Sequence, residues 1–247
     1  MEYVMSRLTA GAYVIAVEDT TTWDSMTYSN LYVLQQDSQV ILVDAGLKAY
    51  QPLVVAALAE IGIQPAQVTH VLLTHGHRDH VEGAALFTNA RKFIHSADWP
   101  MLASPLAAQV AQFTPQAEAG TFAVPGLKGL EVVLVNTHSP GSVAIYDHRS
   151  QALFVGDFFC YFGEALPEGR LVTNSEAIKR GSCQYVAGQA AAGGQEFAAF
   201  MQGLSRLLAY RPEFFCTGHG VVLCEDIHSF LHNMWQSGTQ PVKSNKG

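Results

Sequence analysis

V-T-H-V-L-L-T-H-G-H-R-D-H-V-E-G-A-A-L-F, residues 68–87, holds the fold-deciding signal of this chain. Its first seven residues, VTHVLLT, read as a strand buried on both faces. Its last seven, VEGAALF, are rich in helix formers. Between them stand four side chains of metal-ligand type: His75, His77, Asp79 and His80. On an extended segment, side chains two residues apart point the same way. His75 and His77 can therefore hold one ion together. Asp79 and His80 lie at the turn into the helix and can reach a second ion beside it. Neutral imidazole and carboxylate are ligands that zinc, iron and manganese all accept.

Working outward, residues 12–18 read as a strand. Residues 31–36 and 39–44 read as a hairpin turning at Asp37-Ser38. Residues 50–61 have helical spacing and stop at Gly62. On the far side, ARKFIHS at 90–96 predicts a short strand, and residues 97–113 predict a helix broken by Pro100 and Pro105. Three strands are expected at 130–135, 142–147 and 151–155. Residues 158–183 show no clear period and read as a long loop or lid. Residues 184–209 are Ala-rich and helical, with weak points at Gly188 and Gly193-Gly194. EFFCTGHG at 213–220 predicts a strand entering a turn, and 224–236 a last helix with a frayed polar tail after Gly238. Strands occur in both halves with helices between, which argues against a simple doubly wound sheet. No linker or repeat divides the chain, so residues 1–247 read as one domain.

Composition narrows the function classes. With 247 residues, 49% hydrophobic and 14% charged, the chain can bury a substantial core. The formal net charge of −7 lacks the basic excess of a nucleic-acid binder. The N-terminus MEYVMSRLTAG has no long apolar segment of a leader, and no run is long enough to span a membrane. Cys160, Cys183, Cys216 and Cys224 show no C-x-x-C spacing and read as reduced thiols of a cytoplasmic protein. A small-molecule substrate is expected, with neither nucleic acid nor membrane as partner. The oligomeric state stays open, a homodimer included.

T-H-G-H-R-D-H at 74–80 resembles the H-x-H-x-D-H signature of the metallo-β-lactamase superfamily. Four landmarks match in the family's order: V-D-A-G at 43–46, H-S-P-G-S at 138–142, F-V-G-D at 154–157 and T-G-H-G at 217–220. One departure is local: the family often has Pro-Gly before its third histidine, and here Asn136-Thr137 stand there. The resemblance implies an α/β fold of the α+β type, a four-layer αββα sandwich of two mixed sheets with helices on both outer faces. It implies two divalent metal ions, zinc before iron or manganese. His75, His77 and His138 would bind the first, and Asp79, His80 and His219 the second. Asp157 would bridge them, and Asp44 would orient a ligand from behind.

By that resemblance the chain is a hydrolase of the glyoxalase II or lactonase kind. A metal-bridging hydroxide would attack an ester, thioester or lactone carbonyl, with Asp79 orienting it and passing a proton to the leaving group. Tyr161 would donate to the oxyanion, as a tyrosine near this point does in lactonases of this fold. The 158–183 stretch would wall the substrate pocket. Two alternatives accompany this reading: an iron-dependent, sulfur dioxygenase-like oxidoreductase, and a weak promiscuous β-lactamase. Flavodiiron relatives replace the second histidine of the motif with Glu and append a flavodoxin domain; this sequence has His77 and no such domain. The other histidines, His70, His95, His148, His228 and His232, read as structural or surface residues.

Overall fold

Strand residues alternate between two faces, and in this chain both faces are apolar along the central strands. Each sheet must therefore be covered twice. The computed structural model, which describes residues 2–20, 26–162 and 166–239, shows how. One sheet runs β1 (Tyr3–Thr9), β2 (Ala12–Asp19), β3 (Thr27–Gln36), β4 (Gln39–Val43), β5 (His70–Leu72), β6 (Arg91–Ile94) and β7 (Val110–Gln112), in that spatial order. It is antiparallel from β1 to β4 and parallel from β4 to β7.

The second sheet comprises β8 (Thr114–Pro115), β9 (Thr121–Ala123), β10 (Leu130–Leu134), β11 (Val143–Asp147), β12 (Ala152–Gly156), β13 (Val172–Thr173), β14 (Phe214–Thr217) and β15 (Val222–Cys224). Its spatial order is β13-β15-β14-β12-β11-β10-β9-β8, with β12 and β14 parallel. The helices are α1 (Gln51–Glu60), α2 (Arg78–Val81), α3 (Ser104–Ala107), α4 (Glu176–Ala192), α5 (Gln195–Leu207) and α6 (Ile227–Thr239).

Three apolar layers follow from the alternation. Ile15, Val33, Leu42 and Val71 face outward from the first sheet onto Val54 and Leu58 of α1. Their sequence neighbours Val14, Leu34, Val43 and Leu72 face inward and meet Val132, Ile145 and Phe154 of the second sheet. Val133, Ala144, Leu153 and Phe215 face the other way, onto Val186, Leu204, Leu231 and Met234 of α4, α5 and α6. This is the four-layer αββα sandwich that the resemblance implied. No helix among the described residues is long and apolar enough to cross a membrane.

Several expectations change. Residues 97–113 form no long helix: a 3₁₀ turn at Trp99–Met101 and the four-residue α3 lead into β7. Pro100 and Pro105 stand in the first turns of these two elements, where proline starts a helix rather than continuing one. The 158–183 stretch, expected as a loop, holds among its described residues a 3₁₀ turn at Pro167–Gly169, β13 and, from Glu176, the start of α4. There the Ser175 hydroxyl accepts from Ile178 N and caps α4. The Ala-rich region breaks where Gly193 and Gly194 both take positive φ, and stays helical through Gly188. β1 was not expected, because its residues are half-buried on both sides and show no clean alternation. The last helix starts at Ile227, since Val222–Cys224 pair with β14. The tail from residue 240, expected to fray, lies outside the described residues.

Candidate metal centre

The fold brings the carboxyl ends of several strands together, the usual place for a site in such sheets. Asp44 follows β4, and Thr74 and His75 follow β5. Asp157 follows β12 and His219 follows β14, which run parallel. Asp79 and His80 sit in the short α2, and His138 in the turn between β10 and β11. Backbone bonds lock these ends across the two sheets: Val143 N donates to Thr74 O at 2.9 Å, and Asn30 N to Gly218 O at 2.8 Å.

The seven residues expected as ligands converge. His77 Nδ1 stands 3.1 Å from His75 Nε2 and 2.8 Å from His138 Nε2. His219 Nε2 and His80 Nε2 stand 3.2 and 3.5 Å from Asp79 Oδ2. Two ligands held about 2.0–2.1 Å from one tetrahedral ion are about 3.3–3.4 Å apart, so both trios have the spacing of a coordination shell. Asp157 lies between them. Its Oδ2 is 3.4 Å from His138 Nε2 on one side and 3.4 Å from His219 Nε2 on the other, and its Oδ1 is 3.3 Å from His80 Nε2. Close packing is essential here: a Cβ on Gly218 would meet Asp157 Oδ1 at 2.1 Å.

Asp44 sets the ligand tautomers. Its carboxylate accepts from Thr74 N and Thr74 Oγ1, each at 2.8 Å, and from His80 Nδ1 at 2.9 Å. His75 Nδ1 in turn donates to Thr74 Oγ1 at 3.1 Å. With Nδ1 occupied, both rings present Nε2 to the cluster. Asp44→Asn keeps the shape and tolerates the positive φ of this residue. It should lower metal affinity about 10–100-fold in a competition titration; an unchanged affinity would remove Asp44 from this role.

The electrostatics fit a cation. Burial, with the His80 charge second, pushes His75 well below the usual histidine range, leaving a neutral ligand. Burial opposes charge on Asp157, but His80 and His219 overcome it and hold the carboxyl well below the usual range. Burial likewise opposes charge on His80, and Asp157 and Asp44 carry it well above. His80 and His219 thus balance the two carboxylates, a role that a divalent cation would take over with release of protons. Asp79 Oδ2 and His80 Nε2 are buried and make no hydrogen bond among the described residues. A metal ion would satisfy both.

The sequence profile of the Metallo-beta-lactamase superfamily matches residues 25–219. The chain belongs to this superfamily. Among curated relatives, an uncharacterized protein of Bacillus subtilis, YobT, is 28% identical over 58% of this chain and 66% of its own length. Metallo-beta-lactamase domain-containing protein 1 of Xenopus laevis is 30% identical over 45% of each chain. The exodeoxyribonuclease WalJ of Streptococcus pneumoniae is 36% identical, over 26% of this chain and 22% of the relative. The match thus spans less than two thirds of each relative's length. Solved structures that share the fold include a flavoprotein of Thermotoga maritima, with TM-score 0.75 and 17% identity over 94% of this chain and 60% of that one. A putative diflavin flavoprotein fragment from Nostoc superposes with TM-score 0.71 and 15% identity over 96% and 95% of the two chains. The superfamily is confirmed; the glyoxalase II or lactonase kind is not, and flavodiiron proteins stand among the structural neighbours.

Superfamily membership does not reveal three supports that the motifs miss. Asp98, fully buried, accepts from Gly76 N at 2.9 Å, Gly141 N at 2.6 Å and the Ser139 hydroxyl. It ties the His75–His77 turn to the loop bearing His138. Asn30 Nδ2 donates to Thr217 O at 3.0 Å and Gly220 O at 2.8 Å, gripping the turn of His219 from the other sheet. The Cys160 thiol lies 3.4 Å from Asp157 Oδ1. Burial and the Asp157 charge push that thiol well up, so it stays protonated and donates. No residue pattern marked Asp98, which falls in the 97–113 stretch expected to be helical.

Tyr161, expected to donate to an oxyanion, is buried beside the ligand cluster. Its ring belongs to the apolar layer beneath α4 and α6, and its hydroxyl meets Ser182 Oγ at 3.3 Å. The neighbouring Phe162 ring lies over His219, with centroids 4.7 Å apart. Tyr161 also lines the cleft that Asp157 borders, and its backbone N donates to His219 O at 3.2 Å. His70, His95, His148, His228 and His232 belong to none of the ligand groups among the described residues.

Proposed function

We propose that the chain is a binuclear metal-dependent hydrolase acting on an ester, thioester or lactone carbonyl of a small molecule. Asp157 carries this reading, because it stands between both ligand trios and also lines an apolar cleft of about 830 Å³. When bound, two divalent ions supply a Lewis acid and a water acidified toward neutrality. His75, His77 and His138 would hold one, Asp79, His80 and His219 the other, and Asp157, standing between the two trios, would serve both. His138, 34% exposed, leaves the first trio open to an approaching carbonyl. Asp79, 10% exposed, orients the attacking water and returns its proton to the leaving group.

The cleft lining includes no Lys or Arg among the described residues, which favours a neutral substrate over a phosphodiester. Residues 1–247 act as one domain in this reading, with residues 158–162 and α4 in the pocket wall. The chain works on small molecules in the cytoplasm, without nucleic acid or membrane. Its histidine at 77 completes a three-imidazole set for the first ion.

The test pairs metal analysis with substrate panels. Plasma mass spectrometry should find about two zinc or manganese ions per chain. Chelation should cut carbonyl-ester or lactone hydrolysis more than about 100-fold, and metal should restore it. One iron per chain with oxygen uptake and no hydrolysis would install the oxidoreductase reading instead. Cleavage of DNA ends alone would install the nuclease reading.

A further inference from the structure

The carbonyl chemistry above leaves the rest of the substrate undefined, and the cleft beside Asp157 bears on it. Its floor and walls come from residues 157–162, from one face of α4 and from the first two turns of α5. α4 and α5 diverge at Gly193-Gly194, and the space between them stays open. The aromatic rings there form one connected set. Phe158 stacks on Phe200 with centroids 4.8 Å apart, Phe159 lies 6.3 Å from Phe200 and 6.0 Å from Tyr185, and Phe197 lies 6.3 Å from Phe200. Phe162, 45% exposed, lines the same cleft and covers His219. The apolar surface therefore begins at a metal ligand and runs away from it.

We infer that this cleft receives an uncharged apolar arm of the substrate, an acyl chain or aryl group, whose carbonyl end reaches the metal centre past Phe162. The inference deepens the hydrolase reading and rests on it for the identity of the reacting end. Three observations carry it. A volume of about 830 Å³ lies within the range of about 300–1,000 Å³ typical of small-molecule sites. Asp157 and Glu196 are the only charged groups among its described lining residues, so an anionic arm would meet repulsion and no cation. Large exposed rings are otherwise scarce among the described residues: Phe162 and Tyr185 are two of the five large hydrophobics exposed there, and both line this cleft.

Gly181 supplies the test. It lies in the interior of α4, lines the cleft, and a Cβ there would meet nothing within 4 Å. A larger residue would enter the cleft, and replacing glycine also favours the helix. The probes are neutral primary alcohols of four to ten carbons, displacing the neutral fluorophore N-phenyl-1-naphthylamine. Affinity should rise about two- to fourfold per added methylene. Gly181→Trp should weaken decanol at least tenfold and leave butanol within about twofold, and Gly181→Leu should do the same to a smaller degree. Gly181→Ala should behave as the parent. A parallel series of alkanoate esters should show the same chain-length gain in kcat/KM, lost in Gly181→Trp.

Alcohol affinity that does not grow with chain length, or that survives both Gly181→Trp and Gly181→Leu with melting temperatures at or above the parent's, overturns the inference. Ester hydrolysis that ignores chain length while metal dependence holds overturns it too, with the hydrolase reading intact. Chain-length-dependent binding without any hydrolysis upholds the cleft and sinks the hydrolase reading.

Discussion

Asp157→Asn should reduce bound metal from about two ions per chain to one or fewer, and lower turnover more than about 100-fold. The magnitude follows from position. Replacing a residue that merely orients a ligand already costs about 10–100-fold in affinity or activity. Asp157 instead faces both ligand trios, with one oxygen 3.4 Å from both His138 Nε2 and His219 Nε2. Its carboxyl, held well below the usual range by His80 and His219 against the cost of burial, supplies a full negative charge at neutral pH. Asparagine keeps the volume and can still accept from the Cys160 thiol, so the fold should persist. A melting curve verifies that, and metal analysis reads the result. Two ions retained at parental affinity would show that Asp157 does not join the sites, and would return the centre to two independent trios.

What the sequence conveys about such a centre depends on how local each role is. His75, His77, Asp79 and His80 fall within one turn between a strand and a helix, so residue type and spacing alone mark them. Asp157 and His219 lie far along the chain, and only their ordered motifs connect them with that turn. The sandwich was legible through the resemblance that the ordered motifs carry, and strands apolar on both faces agree with it. The first half of α4, before residue 184, was not legible: one side of the helix packs against α6 while another borders the open cleft, and Gly181 dilutes any apolar period. Composition could not fix which way the aromatic rings of 158–162 point: Phe162 lies over His219, and the Tyr161 hydroxyl meets Ser182. Asp98 acts through backbone N–H groups 22 and 43 residues away, and no residue pattern encodes such partners.

That hidden support yields the second large effect. Asp98 is fully buried, and its two oxygens take three donors: Gly76 N, Gly141 N and the Ser139 hydroxyl. Asp98→Ala would strand all of them, at about 1–3 kcal/mol for each buried group. That sum approaches the whole stability of a domain, about 5–15 kcal/mol. Asp98→Asn is the sharper probe, because it keeps the volume and turns one acceptor into a donor facing an N–H. It should cost about 1–3 kcal/mol, or roughly 2–12 °C in melting temperature for a chain of this size. The damage should be uneven. Gly76 lies between His75 and His77, and Ser139 follows His138, so the first trio loosens. Asp79, His80 and His219 are held separately, by Asp44 and by Asn30 from the first sheet. A stepwise metal titration should therefore show one equivalent near parental affinity and the other weakened about 10–100-fold. Equal weakening of both would mean that Asp98 steadies the whole fold; unequal weakening means that it is the strut of the three-histidine site alone.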